Sequence, residues 1–357
     1  MKTAITKALP AELKSKPTPG VPLGFGKIFT DHMFLMDYEG GKGWHHPRIE
    51  PYHPFSLDPA TLVLHYGQEV FEGLKAYRWQ NGEIYLFRPR MNFERLNRSA
   101  RRLCIPETNV EDALEATREI VLLEKEWVPS EPGSSLYIRP NIIATEAALG
   151  VHVSSKYLFY IIVGPVGAYY PQGFNPVDIY ITEKYTRAAQ GGLGETKTVA
   201  NYAASLLAQK EAHDLGYTQV LWLDAVERRY IEEVGTSNIF FYIGDELLTP
   251  SLAGTILAGV TRDSVIHIAR HWGIKVSERR ISLDEVLGAI ERKTMKEVFG
   301  TGTAAVISPV GKLAYGEKTS LINSGRVGPI AQKLYDYIIG IQYGKVKDPF
   351  GWVEKVV

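Results

Sequence analysis

A single cysteine, Cys104, occurs in 357 residues. That excludes an intramolecular disulfide and any cysteine-rich zinc site, and it suits a reducing compartment. Charge of one sign is not in excess either: 40 basic residues balance 40 acidic ones. With no long basic stripe, a nucleic-acid partner is not expected. The most apolar stretch, residues 157–170, is interrupted by Gly164, Pro165 and Gly167. It is too short to cross a bilayer as a helix, so no membrane association is expected. The N-terminal MKTAITKALPAELKSKP is basic but has no apolar centre, which argues against a secretory signal and for a disordered leader. Gly-x-Ser-x-Gly is absent, removing one common nucleophile motif. His45, His46 and His53 share the loop GWHHPRIEPYH, and His267 and His271 share one helical face. Neither group has an acidic partner at zinc-site spacing, so no metal is expected.

What is present is a chain long enough for two cores. The string LVLHYGQEVFEGLKAYR, residues 62–78, has a helix-like middle and a strand-like end; Asn81-Gly82 then turns into a strand over 83–87. Phe93, Leu96, Ala100 and Leu103 recur at helical spacing, so 91–103 should be an amphipathic helix that turns Arg95, Arg98 and Arg102 toward water. A second helix is expected over 110–126, followed by strands from SLYIRPNIIAT and KYLFYIIVGP. GAYYPQGFNP, residues 167–176, is rich in Gly, Pro and aromatics and reads as a linker. The division expected is a small N-terminal α/β domain over 1–166 and a large domain over 177–357. In the second half the pattern predicts a helix over 202–215, a strand pair from 220–224 and 230–234, and a strand over 239–242. Beyond these come a helix from Thr261 to Gly273, a short one over 284–289, and a strand over 297–302. Such mixed order points to α+β and not to one doubly wound sheet.

The segment QGGLGETKTVANYA, residues 190–203, sets Lys197 between a glycine-rich turn and a run of small residues. Read as a phosphate loop, GGLGETKT fails at Thr196, where glycine is needed to let successive N–H groups curl around phosphates. The other reading is a lysine that forms a Schiff base, which must be neutral to attack a carbonyl. Gly259-Val260-Thr261 ahead of a periodic helix offers backbone N–H groups to an anion, although Thr261 also reads as a plain N-cap. Thr301-Gly302-Thr303, after a strand, offers a second corner of hydroxyls and amides, or an ordinary turn.

Taken in order, the strings FGKIFTDHM (25–33), LHYGQEVFEGLKAYR (64–78), LFRPRMNFERLNRSARRLCIP (86–106), SLYIRP (135–140), PVGAYYP (165–171), GGLGETKTVANYA (191–203), EVGTSNIFF (233–241), LAGVTRDS (257–264), EVFGTGTA (297–304) and IQYG (341–344) resemble the branched-chain amino acid aminotransferases. These are pyridoxal 5'-phosphate enzymes of fold type IV, the D-amino acid aminotransferase-like α+β fold of two domains with the cofactor bound between them. The resemblance implies transfer of the amino group between leucine, isoleucine or valine and 2-oxoglutarate. It makes Lys197 the catalytic, cofactor-bearing lysine. Glu233 then pairs with the pyridine nitrogen, Tyr202 bonds the ring oxygen, and Arg95, Val260, Thr261 and Thr303 hold the phosphate. Phe25, Tyr66, Phe71, Tyr137, Val151 and Tyr169 would line the substrate pocket, some across a homodimer interface. Thr236 and Ala304 would bind the substrate carboxylate through backbone N–H groups. Arg139 would meet the side-chain carboxylate of glutamate, its alternative being a structural ion pair. A cytoplasmic enzyme is implied. The Cys-x-x-Cys pair that some animal members carry after the GTGTA turn is replaced by Ala305-Val306-Ile307-Ser308, so no thiol switch is expected there. Nearest on the same fold are D-amino acid aminotransferases and aminodeoxychorismate lyases; a non-catalytic carrier of the cofactor would keep the anchors without turnover.

Overall fold

A computed structural model describes residues 2–18, 20–167 and 173–357. The chain forms two compact units. Unit 1 comprises Met1–Pro171, Lys197–Val199 and Gly340–Val357; unit 2 comprises Gln172–Thr196 and Ala200–Ile339.

Unit 1 contains β1 (Ala4–Ile5), β2 (His32–Glu39), β3 (Gly43–Pro51), α1 (Leu62–Tyr66), β4 (Glu69–Phe71), β5 (Leu74–Arg78), β6 (Ile84–Phe87), α2 (Pro89–Arg102), α3 (Val110–Leu123), β7 (Ser135–Ala144) and β8 (Lys156–Val166). Its sheet runs β1-β3-β2-β8-β7-β5-β6 and closes on the late strand Val353–Lys355, with β4 also paired to β7. The Asn81-Gly82 turn joins β5 to β6 in register Arg78↔Ile84, and Gly82 takes the positive φ that the turn requires. The sheet buries Phe34, Leu74, Ala76, Leu86 and Leu136 together with Phe93, Leu96 and Ala100 of α2 and Leu114 and Ile120 of α3. This apolar stripe is why the 91–103 periodicity forms a helix. Asn109 caps α3 by accepting the N–H groups of Glu111 and Asp112. The α-helix ends at Leu123, and the expected extension to 126 is instead a 3₁₀ turn over Lys125–Trp127.

Unit 2 contains β9 (Val177–Thr182), α4 (Val199–Ala203, whose first residue belongs to unit 1), α5 (Leu206–Asp214), β10 (Gln219–Leu223), β11 (Ile231–Val234), β12 (Asn238–Ile243), β13 (Glu246–Thr249), α6 (Val260–His271), β14 (Lys275–Glu278), α7 (Leu283–Glu291), β15 (Met295–Gly302), β16 (Val306–Tyr315), β17 (Lys318–Leu321) and α8 (Pro329–Gln342, whose residues from Gly340 on belong to unit 1). The sheet order is β11-β10-β9-β16-β15-β12-β13-β14, and β17 pairs with β16. β9 is parallel to both neighbours, whereas β10/β11, β12/β15 and β15/β16 are antiparallel, the mixture that defines an α+β unit.

Several expectations are corrected. The second domain is not one run over 177–357, because Val353–Lys355 pairs with β6 and Lys197 and Thr198 bond to β4 and α2 of unit 1. Of the expected linker, residues 168–172 lie outside the described residues. His45 and His46 are not in a loop but on β3, which pairs with β2 across a turn made by Gly41 and Gly43 at positive φ. The expected helix 202–215 is two helices, α4 ending at Ala203 and α5 starting at Leu206, and between them the Ser205 hydroxyl donates back to the Tyr202 carbonyl and makes no cap bond to α5. Arg98 and Arg102 are exposed, but Arg95 is only 4% exposed and faces inward.

Candidate active site

Arg95 is drawn inside because α2 carries a second stripe beside its apolar one. Asn92, Arg95 and Ser99 follow at helical spacing, and all three are buried. Glu72, on the link between β4 and β5 and fully buried, accepts from Arg95 Nε at 2.7 Å, Arg95 Nη2 at 2.9 Å and Asn92 Nδ2 at 2.8 Å. A buried carboxylate needs such partners. Burial alone would push the Glu72 carboxyl up, but the Arg95 charge and hydrogen bonds, with the Lys197 charge and Asn92, hold it below the usual carboxylate range.

Ser99 Oγ accepts the backbone N–H of Lys197 at 2.9 Å. The Lys197 carbonyl accepts from Phe71 N–H at 3.0 Å, and the Thr198 hydroxyl donates to the Glu69 carbonyl at 2.7 Å. Two bonds from the lysine's own backbone and one from the next residue's hydroxyl therefore fix this segment within unit 1. Its Nζ stands 4.8 Å from the centre of the Phe71 ring, and the Arg139 guanidinium stands 4.7 Å from the same ring. Arg139 also donates to Tyr137 Oη at 3.1 Å, and Tyr137 meets Phe25 edge-on at 5.0 Å. Gly73 makes room for Tyr137, since a Cβ there would lie 2.1 Å from its hydroxyl oxygen. Five expected site residues of unit 1 thus form one group: Phe25, Phe71, Tyr137, Arg139 and Lys197. Tyr66 and Val151 are not in it; they are 42% and 82% exposed, and Tyr66 Oη donates to the Leu149 carbonyl. Tyr169 lies outside the described residues.

Unit 2 gathers a second group. Glu233, 3% exposed on β11, accepts from Leu257 N–H at 2.8 Å and Asn238 Nδ2 at 3.2 Å, with Arg187 Nε 3.2 Å away. Tyr202, Glu233, Thr236 and Arg187 line one small hollow. Asn238 ties Glu233 to the start of α6: its Nδ2 also donates to the Leu257 carbonyl at 2.9 Å, and a Cβ on Gly259 would lie 2.0 Å from its Oδ1. Gly259 is the N-cap of α6 and supplies no side-chain acceptor, so Val260 and Thr261 open the helix without the ordinary cap. Thr303 and Ala304 form the turn between β15 and β16, beside the Thr236 turn, since Ser237 Oγ stands 3.1 Å from a Cβ built on Gly302. The GGLGE loop does not cradle an anion as a phosphate loop would. The Leu193 carbonyl at its centre accepts Thr196 N–H, Thr196 Oγ1 and Asn201 Nδ2, and among the described residues no strand leads into it.

A model of the amino-transferase class IV family matches residues 69–313. The chain belongs to the class IV aminotransferases. This class IV aminotransferase is 56% identical over 344 residues to branched-chain-amino-acid transaminase 1 of Bacillus subtilis, with 96% of each chain covered. Among solved structures it resembles the branched-chain amino acid aminotransferase of Escherichia coli, with TM-score 0.76 and 27% identity over 92% of this chain and 99% of that one. It also resembles the branched-chain aminotransferase of the archaeon Thermoproteus uzoniensis with norvaline, with TM-score 0.75 and 27% identity over 91% and 100%. Other similar branched-chain aminotransferases are solved with pyridoxamine 5'-phosphate and with N-(5'-phosphopyridoxyl)-L-glutamate. The fold is therefore fold type IV, and the enzyme is pyridoxal-phosphate dependent.

The residues present suit that cofactor. The uncapped start of α6 offers amides to a phosphate, and Glu233 is a buried carboxylate fixed by two N–H donors and an arginine. Glu72, Asn92, Ser99, Arg187 and Asn238 are functional neighbours that sequence reasoning does not reach. Only Glu72 has a local signal, an acid set inside the apolar run VFEGL, which predicts a buried partner.

Proposed function

We propose that this aminotransferase exchanges the amino group between branched-chain L-amino acids and 2-oxoglutarate, as a cytoplasmic homodimer. The observation that carries the substrate reading is the Phe71 ring, which bears Lys197 Nζ and the Arg139 guanidinium at 4.8 and 4.7 Å. An apolar side chain would lie against Phe71, Tyr137 and Phe25, while the side-chain carboxylate of glutamate would find Arg139 at the edge of the same wall.

When bound, pyridoxal phosphate supplies an electron sink for the α-carbon. Lys197 would hold it and move the proton at the substrate α-carbon. Glu233 would keep a proton on the ring nitrogen, and Tyr202 would bond the ring oxygen. Arg95, Thr303 and the Val260 and Thr261 amides would take the phosphate; Glu72 engages two of Arg95's five N–H bonds and so fixes the plane of its guanidinium. Thr236 and Ala304, on adjacent turns, would orient the substrate carboxylate. The dimer is supported by exposed Leu64, Tyr66, Leu149, Val151 and Val153, which include both expected pocket residues that stand apart from the Phe71 group.

A visible absorption spectrum of the purified protein, repeated after L-leucine and then 2-oxoglutarate, tests the reading. A band that L-leucine bleaches and 2-oxoglutarate restores is expected. Response to D-alanine alone would overturn the choice of substrate, and a protein that stays colourless with added pyridoxal phosphate would overturn the role of Lys197.

A further inference from the structure

Arg139 is a charge on a wall that must also take an apolar side chain, and the same face of the sheet carries an acid. β4 and β7 are antiparallel, with Phe71 opposite Asn141 and Glu69 opposite Ile143. Alternate residues of a strand share a face, so Glu69 and Phe71 stand on the face that carries Tyr137, Arg139 and Asn141. Buried Asn141 donates from Nδ2 to Glu69 Oε1 at 2.8 Å and so fixes where that carboxylate lies. The Arg139 guanidinium, 4.7 Å from the centre of the Phe71 ring, covers the next residue of β4 on this face. Tyr160, opposite Asn141 on β8, feels both charges: burial pushes its hydroxyl up, Glu69 adds to the rise and Arg139 opposes it.

Glu69 is half-buried; burial pushes its carboxyl up, and the Asn141 bond and the Arg139 charge pull it back. Covering a guanidinium with an apolar side chain costs free energy unless an opposite charge stays near it. A side-chain carboxylate brought to Arg139 supplies that charge itself, and then meets repulsion from Glu69. One acid therefore shifts the affinities for the two kinds of substrate in opposite directions. Resting on the reading of Arg139 given above, we infer that Glu69 is a specificity-determining residue: its carboxylate balances Arg139 while the wall holds a branched apolar side chain, and it moderates the grip on the side-chain carboxylate of glutamate. That balance matters when one pocket must accept and release both substrates in turn.

The probes are glutarate and 4-methylvalerate, which share one carboxylate and differ at the other end as glutamate differs from leucine. Neither carries an amino or oxo group, so binding to the holoenzyme is read by titration calorimetry without turnover. Glu69→Gln removes the charge and keeps an oxygen for Asn141. It should bind glutarate more tightly and 4-methylvalerate more weakly, shifting the ratio of the dissociation constants by about tenfold. Glu69→Ser should shift the ratio the same way and serves if the first variant folds poorly. Glu69→Asp keeps a charge on this face and should stay within about threefold of the wild-type ratio. An unchanged ratio in both charge-removing variants, or equal losses for the two acids, would overturn the inference. An Arg139→Met protein that binds glutarate as tightly as wild type would instead overturn the role of Arg139, and this inference with it.

Discussion

Glu72 grips Arg95 through two hydrogen bonds of 2.7 and 2.9 Å, in a place where both residues are buried. Removing one partner strands the other's charge, so Glu72→Ala should cost about 3–5 kcal/mol of stability, read from urea unfolding. Because the folded carboxyl lies below its ordinary range, its contribution is complete above about 4.5 and is lost as pH falls through the folded value. Glu72→Gln should therefore flatten the acid side of the stability profile. An unchanged acid limb would contradict the pairing.

Lys197→Ala should abolish transamination and the cofactor's visible band while leaving the far-ultraviolet circular dichroism unchanged. Ser99→Ala removes only the acceptor of the Lys197 N–H. It should keep the band, lose about 1 kcal/mol of stability and lower kcat. A Ser99→Ala enzyme with wild-type stability and kcat would show that this anchor does nothing.

Arg139→Met keeps a long side chain over Phe71 and removes the charge. The KM for 2-oxoglutarate and for glutamate should rise by about tenfold or more, as expected for a lost charge-assisted bond. Catalysis with leucine in a single half-reaction should change far less. Equal losses for both substrates would make Arg139 a packing residue.

Lys75, on β5 opposite Tyr137, is buried, and burial lowers its amine to about 8 from an ordinary 10.5. Between those values the unfolded chain holds a proton that the folded one has released, so stability should rise with pH across that window. Below about 8 the full cost of the buried charge is present. Lys75→Met should remove this rise, worth on the order of 3 kcal/mol. Matched alkaline profiles of variant and wild type would count against the burial effect.

Local patterns are readable where their causes are local. The Asn81-Gly82 hairpin, the apolar stripe of α2 and the start of α6 all follow from neighbours within a few positions. Arg95 reads as a surface charge because its partner, 23 positions away on another element, leaves no trace in helical periodicity. β16 escapes the pattern because Pro309 and Gly311 interrupt it, although pairing on both sides carries the strand through them. No such reason covers α8, whose buried Ala331, Leu334, Ile338 and Ile341 recur at helical spacing. Resemblance supplies Glu233 and Tyr202, while Glu72, Ser99 and Asn238 emerge only once elements distant in sequence are folded together.

The strand that finishes the first sheet has a bearing on synthesis. Lys355 pairs with Glu83, 272 positions earlier, and Val353–Lys355 supplies the outer neighbour of β6. As the ribosome releases the chain from its amino end, β6 has an open edge throughout translation of unit 2. Nascent chains halted before residue 353 should therefore be recognised by strand-binding chaperones, whereas those extended past it should not.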